Sequence, residues 1–171
     1  PFATPTASWS IPSGFTAVGS ATDLATRLPM RISNNATAYE LVLIPGSEPF
    51  YIGADEMRDD AGRPMVEVTW DDATQWAARQ GMRLPTDAEW HRAANGNFGL
   101  RNASGGVWEW VQDLHESGNG AHVIRSGQGA TGTTVRAYGP PEYKDNETGI
   151  RGAVSPILST SGESRGGTDL S

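Results

Sequence analysis

The chain has no cysteine among its 171 residues. That absence removes disulfides, thiolate metal ligands and thiol nucleophiles together, and leaves packing and hydrogen bonds to hold the fold. Positive charge is scarce as well: 13 Lys and Arg stand against 20 Asp and Glu, a formal −7. Non-specific nucleic-acid binding, in which basic side chains replace phosphate counterions, is disfavoured by that balance. No apolar run approaches the roughly 20 residues that span a bilayer, so membrane insertion is not expected. No basic-then-apolar leader is present, and Pro1 is not an initiator residue, so the chain reads as a processed or trimmed product. P-loop, dinucleotide and nucleophile-elbow patterns are missing. His91, His115 and His122 form no HxxxH or HExxH spacing and read as surface or hydrogen-bonded side chains rather than a metal triad.

What the chain has in quantity is turn chemistry. Twenty-one glycines and eleven prolines predict short strands, many turns and few helices, and the length suits one domain. Residues 1–30, rich in Pro, Ser, Thr and Ala, read as an irregular N-terminal segment with Trp9 and Phe15 as anchors. Residues 31–158 read as the domain, and 159–171 as a mobile Ser/Gly-rich tail. The apolar run from Tyr39 to Ile44, bounded by Pro45-Gly46, predicts a buried strand, and Phe50 to Gly53 its hairpin partner. Ala54 to Pro64 reads as a loop. Thr69 with Asp72, and Thr86 with Glu89, form N-terminal capping pairs for two helices, ended near Gly81 and Asn95-Gly96. Val107 to Val111 and Val123 to Arg125 read as strands, Ser126 to Thr148 as polar and turn-rich, and Gly149 to Val154 as strand-like.

Five of the six tryptophans lie between residues 70 and 110, and they read as core, each worth a few kcal/mol at about 25 cal/mol per Å². Trp90 and Trp108 are expected to be largely buried. Glu89 is explained by capping. Glu109, between two tryptophans, needs an Arg or backbone donors if it is buried. Neither is read as catalytic.

Three collinear stretches carry a resemblance: Val66-Glu67-Val68-Thr69-Trp70-Asp71-Asp72-Ala73, then Gly81-Met82-Arg83-Leu84-Pro85-Thr86-Asp87-Ala88-Glu89-Trp90, then Gly106-Val107-Trp108-Glu109-Trp110-Val111. The second matches G-x-R-L-P-T-x-A-E-W, and the third N-V-W-E-W with Gly106 in place of Asn. Together they resemble the formylglycine-generating-enzyme and sulfatase-modifying-factor family. The resemblance implies an α+β, C-type-lectin-like fold with two short helices around small antiparallel sheets. It is strong over 65–111 and weaker over 39–53 and 123–153. The family's enzymes place a thiol in a G-F-R-C-A stretch. The matching residues here are Gly149-Ile150-Arg151-Gly152-Ala153, so Gly152 stands where the nucleophile would be and that chemistry does not carry over.

The order Ile124-Arg125-Ser126-Gly127, a polar stretch, then Gly149-Ile150-Arg151-Gly152 is similar to the variable proteins of diversity-generating retroelements. That resemblance implies a non-catalytic ligand- or receptor-binding protein with a variable region over about 124–153. The candidate binding residues are Gln128, Thr131, Thr133, Thr134, Arg136, Tyr138, Glu142, Tyr143, Lys144, Asp145 and Asn146. Tyrosine offers contact area with few torsions to freeze, and Thr, Asn and Gln adapt their hydrogen bonds. The implied partner is an unidentified protein or glycan on a target surface, and the implied location is a virion or cell surface. No cofactor is expected. A structural calcium on Asp, Asn or Glu oxygens and oligomerisation are both left open. A divergent enzyme of the same fold without cysteine chemistry is the alternative, and a structural assembly domain a third.

Overall fold

A computed structural model describes residues 7–103, 106–126 and 134–160. In chain order these form β1 (Ala7–Ser10), β2 (Phe15–Ala17), β3 (Arg31–Asn34), β4 (Glu40–Ile44), β5 (Phe50–Gly53), α1 (Trp70–Arg79) and α2 (Asp87–Asn95). They continue with β6 (Trp108–Leu114), β7 (His122–Ser126), β8 (Val135–Gly139), β9 (Thr148–Gly149), β10 (Ala153–Val154) and β11 (Ile157–Thr160). The fold is α+β. One sheet runs β10-β5-β4-β3-β2, a second runs β8-β7-β6-β9, and β1 pairs only with β11. Every pairing is antiparallel except β6 with β9. No helix among the described residues is long and apolar enough to cross a membrane.

Both helices start where the capping pairs predict. The Thr69 and Thr86 hydroxyls accept from the amides of Asp72 and Glu89, whose carboxylates accept in return from the cap amides. After α1 the chain reverses at Gly81, whose φ of +69° lies in the left-handed region that glycine tolerates best.

The central strand β4 is buried on both sides, as its unbroken apolar run requires. Leu41 and Leu43 join Ala73 and Ala77 of α1, Tyr51, Trp110 and Ile124 in one core. Val42 and Ile44 face the other way, onto Phe50, Ile52 and Ala93 of α2. Trp90 of α2 also packs on Val111 and Val123. The two helices thus fill the spaces on either side of the two sheets.

Four features depart from the sequence expectations. Residues 7–10 and 15–17 are strands, because β1 finds a partner in β11 and β2 in β3. Ser159 and Thr160, assigned to the tail, complete β11; residues 161–171 lie outside the described residues. Residues 135–139, read as part of a polar loop, form β8 along the edge of β7. Trp108 is only partly buried and packs against the core margin, whereas Trp90 and Trp110 are 2% and 0% exposed. Trp108 and Trp110 share a face of β6, but Trp108 sits at the strand's start.

Candidate functional site

Of the proposed binding residues, Gln128, Thr131 and Thr133 lie outside the described residues; the other eight fall on two different faces. β8 is an edge strand, paired residue for residue with β7: Val123 with Tyr138 and Arg125 with Arg136. The two-residue period puts Arg136 and Tyr138 on the α2 side, with the buried Val123 and Arg125.

Thr134, just before the strand, follows the same row, its hydroxyl 3.1 Å from His91 Nδ1 on α2. Arg136 donates from Nε to Asp87 at 2.9 Å and from Nη1 and Nη2 to both Glu116 oxygens at 2.9 and 2.8 Å. The other Asp87 oxygen takes Arg125, and the Asp87 amide donates to Asp113. The Arg136 hydrogen bonds hold the Glu116 carboxyl down at about 2. Beside this ladder the Tyr138 ring stacks on His115 at 4.0 Å and stays 54% exposed. An exposed tyrosine is thus presented over a fixed ion-paired frame.

Glu142, Tyr143, Lys144, Asp145 and Asn146 lie apart, on the α1 side. Tyr143 meets the Trp110 ring edge-on at 6.2 Å, fills the space a Cβ on Gly139 would need, and donates its hydroxyl to Asp145. The Asp145 carbonyl takes the Glu67 amide at 2.7 Å. Tyr143 and Asp145 therefore bind one another and the scaffold, and Tyr143, like Glu142, Lys144 and Asn146, is exposed. Asn146 borders a shallow groove of about 650 Å³ with Met65, Val66, Glu67 and Val107.

The segment closes on a buried ion pair. Arg151 and Glu109 are both fully buried. Arg151 donates to Glu109 through Nε at 3.1 and 2.9 Å and through Nη2 at 2.9 Å, and to the carbonyls of Gly53 and Arg101 at 2.8 and 2.9 Å. Glu109 also accepts from Trp90 Nε1. The carboxylate faces away from the two tryptophans beside it in sequence and toward a third, and its partner is an Arg, as its burial demands.

Next to this pair, position 152 is lined by the flexible ends of two methionines. A Cβ there would lie 2.8 Å from Met57 Cε and 2.9 Å from Met82 Sδ. Gly152 N–H donates to the Tyr39 hydroxyl at 3.4 Å, which itself donates to the Asp55 carbonyl. Tyr39 and Met57 also line an open cleft of about 1040 Å³, with Glu40, Asp55, Trp76 and Arg101 in its walls. In this cleft burial raises the Glu56 carboxyl, although the Val107 amide and Arg58 bind it. No pattern in the sequence marked Tyr39 or Glu56, since only the fold brings residues 39, 56 and 152 together. The same holds for His115 and Glu116, the supports of Tyr138 and Arg136.

Among the described residues no group of three or more His, Cys, Asp and Glu side chains is placed to hold a metal. The histidines are each engaged: His91 with Thr134, His115 with Tyr138, and His122 stacked on Trp70 at 3.7 Å.

Comparison with known proteins fits this picture. Residues 35–98 match the sulfatase-modifying factor enzyme 1-like domain. The formylglycine-generating enzyme of Thermomonospora curvata is 32% identical over 98 residues, covering 50% of this chain and 30% of that protein. The inactive C-alpha-formylglycine-generating enzyme 2 of Bos taurus is 43% identical over 54 residues, covering 32% of this chain and 16% of that protein. The chain thus spans less than a third of the length of these relatives. Among solved structures, Treponema denticola variable protein 1 superposes with a TM-score of 0.50 at 15% identity, covering 90% of this chain and all of that one. The fold is the C-type-lectin-like fold of the formylglycine-generating-enzyme type.

Proposed function

We propose that this chain is a non-catalytic recognition domain that binds a protein or glycan on a target surface through the face carrying Thr134, Arg136 and Tyr138, in the manner of a retroelement-diversified variable protein displayed on a virion or cell surface. The observation that carries the reading is the pairing of an exposed Tyr138 with an ion-paired support, the Arg125–Asp87–Arg136–Glu116 chain and the His115 ring. Binding groups on a scaffold that does not move lose little entropy on association. The absence of any cysteine, with glycine at position 152, supports the absence of thiol chemistry.

Two measurements test it. The labelled chain is screened on a glycan array and on microbial cell surfaces, and Tyr138→Ala is compared on whatever binds. Loss of binding with melting unchanged within a few degrees is expected, since exposed substitutions usually alter stability by about ±0.5 kcal/mol. Retained binding would move the site elsewhere. In the neighbouring DNA, a near-copy repeat of the stretch encoding about residues 120–153, differing at adenines and lying beside a reverse transcriptase, would establish diversification.

The cleft floored by Tyr39 and Met57 favours one alternative, a divergent enzyme using non-thiol groups. Incubation with a cysteine-containing sulfatase-type peptide, with and without copper, tests for the family's oxidation, and turnover would favour the enzyme. No oxidation by mass spectrometry is expected for a binding domain.

A further inference from the structure

We infer that two copies of this chain associate through the ribbon formed by β1 and β11, by antiparallel pairing of β11 with its counterpart along the open strand edge. Two-stranded ribbons are marginal in water unless something covers them, and this one is a separate sheet. Ala7, Ser8, Trp9 and Ser10 pair with Thr160, Ser159, Leu158 and Ile157. Among the described residues, no backbone hydrogen bond of 7–10 or 157–160 reaches outside the ribbon. Each strand therefore has one satisfied and one open edge. Trp9 and Ile11 pack against the main core and hold the ribbon to the body.

Two features select a second copy as the occupant. The first is the position of the apolar groups. Ile157 and Leu158 are both 49% exposed, and as neighbours on a strand they point to opposite faces. A partner laid on one face would leave the other residue wet, whereas a strand laid along the edge flanks both.

The second feature is charge. Edge strands are ordinarily protected by charged side chains, bulges or covering elements. Here no Asp, Glu, Lys or Arg occurs in residues 1–22 or 152–162, in a chain of formal charge −7. Two acidic molecules repel over most of their surfaces, and an uncharged edge is where the approach of like to like costs least. A two-fold axis pairs β11 with itself and closes the assembly at two chains. Each dimer then carries two copies of the Tyr138 face, which raises avidity for a multivalent surface without new contacts.

The test uses the intact chain and needs no ligand. Light scattering after size exclusion, over a concentration series into the hundred-micromolar range, should show a species of twice the 18.2 kDa chain mass. Ile157→Lys combined with Leu158→Lys should return it to one-chain mass with an unchanged thermal melt. Ser159→Cys, which introduces the sole thiol, should be captured as a two-chain species by a short bis-maleimide. A chain that stays monomeric throughout, a dimer that survives the lysine pair, or a Ser159→Cys variant that is not captured overturns the inference.

Discussion

Replacing Arg151 by methionine is the most severe single test of how the closing strand is held. The guanidinium, itself fully buried, makes three bonds to Glu109 and one each to the carbonyls of Gly53 and Arg101. Methionine approximates the volume and removes all five. Breaking a buried ion pair by deleting one partner costs about 3–5 kcal/mol, because the other charge is left uncompensated. Each orphaned carbonyl adds about 1–3 kcal/mol unless water reaches it. Against a total stability of roughly 5–15 kcal/mol for a domain, Arg151→Met should leave the chain barely folded. Adding Glu109→Gln removes the orphaned charge while keeping an acceptor for Trp90 Nε1. The double variant should therefore be more stable than Arg151→Met alone, with a coupling at or above the ~0.5–3 kcal/mol usual for contacting residues. Urea unfolding with an unchanged m-value is the assay. A cost below about 1 kcal/mol for Arg151→Met, or strict additivity in the double variant, would refute the reasoning, since a buried, charge-paired hub allows neither.

Three further outcomes are expected. Trp110→Ala should cost about 3–5 kcal/mol in denaturant melts and the half-buried Trp108→Ala clearly less; equal losses would contradict the burial difference. Gly152→Cys should destabilise by about 1–3 kcal/mol through overpacking against Met57 and Met82, and should create no peptide-oxidising activity by mass spectrometry. The third outcome concerns pH. The Glu116 carboxyl is held at about 2 by Arg136, so its folded-state value lies below its unfolded one, and the Glu116–Arg136 contribution is complete above the ordinary glutamate range near ~4.3. It is lost as pH falls toward about 2, where the Tyr138 and His115 ring resonances should shift. A transition centred at the ordinary glutamate value would show that the pair does not form in solution.

The parts legible in the sequence are those set by local rules. Thr69 with Asp72 and Thr86 with Glu89 act across three residues, so both helix starts were readable. The need of a buried Glu109 for an Arg or backbone donors was also readable, because side-chain chemistry decides it, and glycine at position 152 was readable from the resemblance. The β1–β11 ribbon was not, since its partners lie at opposite ends of the chain and the alternation of Ala7-Ser8-Trp9-Ser10 covers only four residues. Nor was β8. Val-Arg-Ala-Tyr-Gly presents little apolar surface to the core, and it is extended because β7 offers it a hydrogen-bonding edge. Splitting of the candidate residues into an Arg136–Tyr138 face and a Tyr143–Asp145 face follows from that strand, so it too was hidden.

The anchoring of this segment bears on whether it can vary. It leaves β7 at Ser126, just beyond Arg125, which is locked to Asp87 of α2, and it ends before Arg151, locked to Glu109 of β6. Glu109 and Arg125 are themselves cross-strand neighbours, so both ends are fixed within one small region by carboxylates from different elements. Among the described residues, the side chains of Thr134, Arg136 and Tyr138 bond or stack with His91, Asp87, Glu116 and His115, contacts at or near the surface. Exposed ion pairs contribute about 0–1 kcal/mol, against about 3–5 kcal/mol for breaking the buried Arg151–Glu109 pair. The energy that fixes the Arg151 end is therefore separate from the residues the segment displays, whereas Arg136 shares Asp87 with the anchoring Arg125. Substitutions at 134 and 138 are therefore expected to draw little on what keeps the domain folded, which is what the proposed recognition face requires.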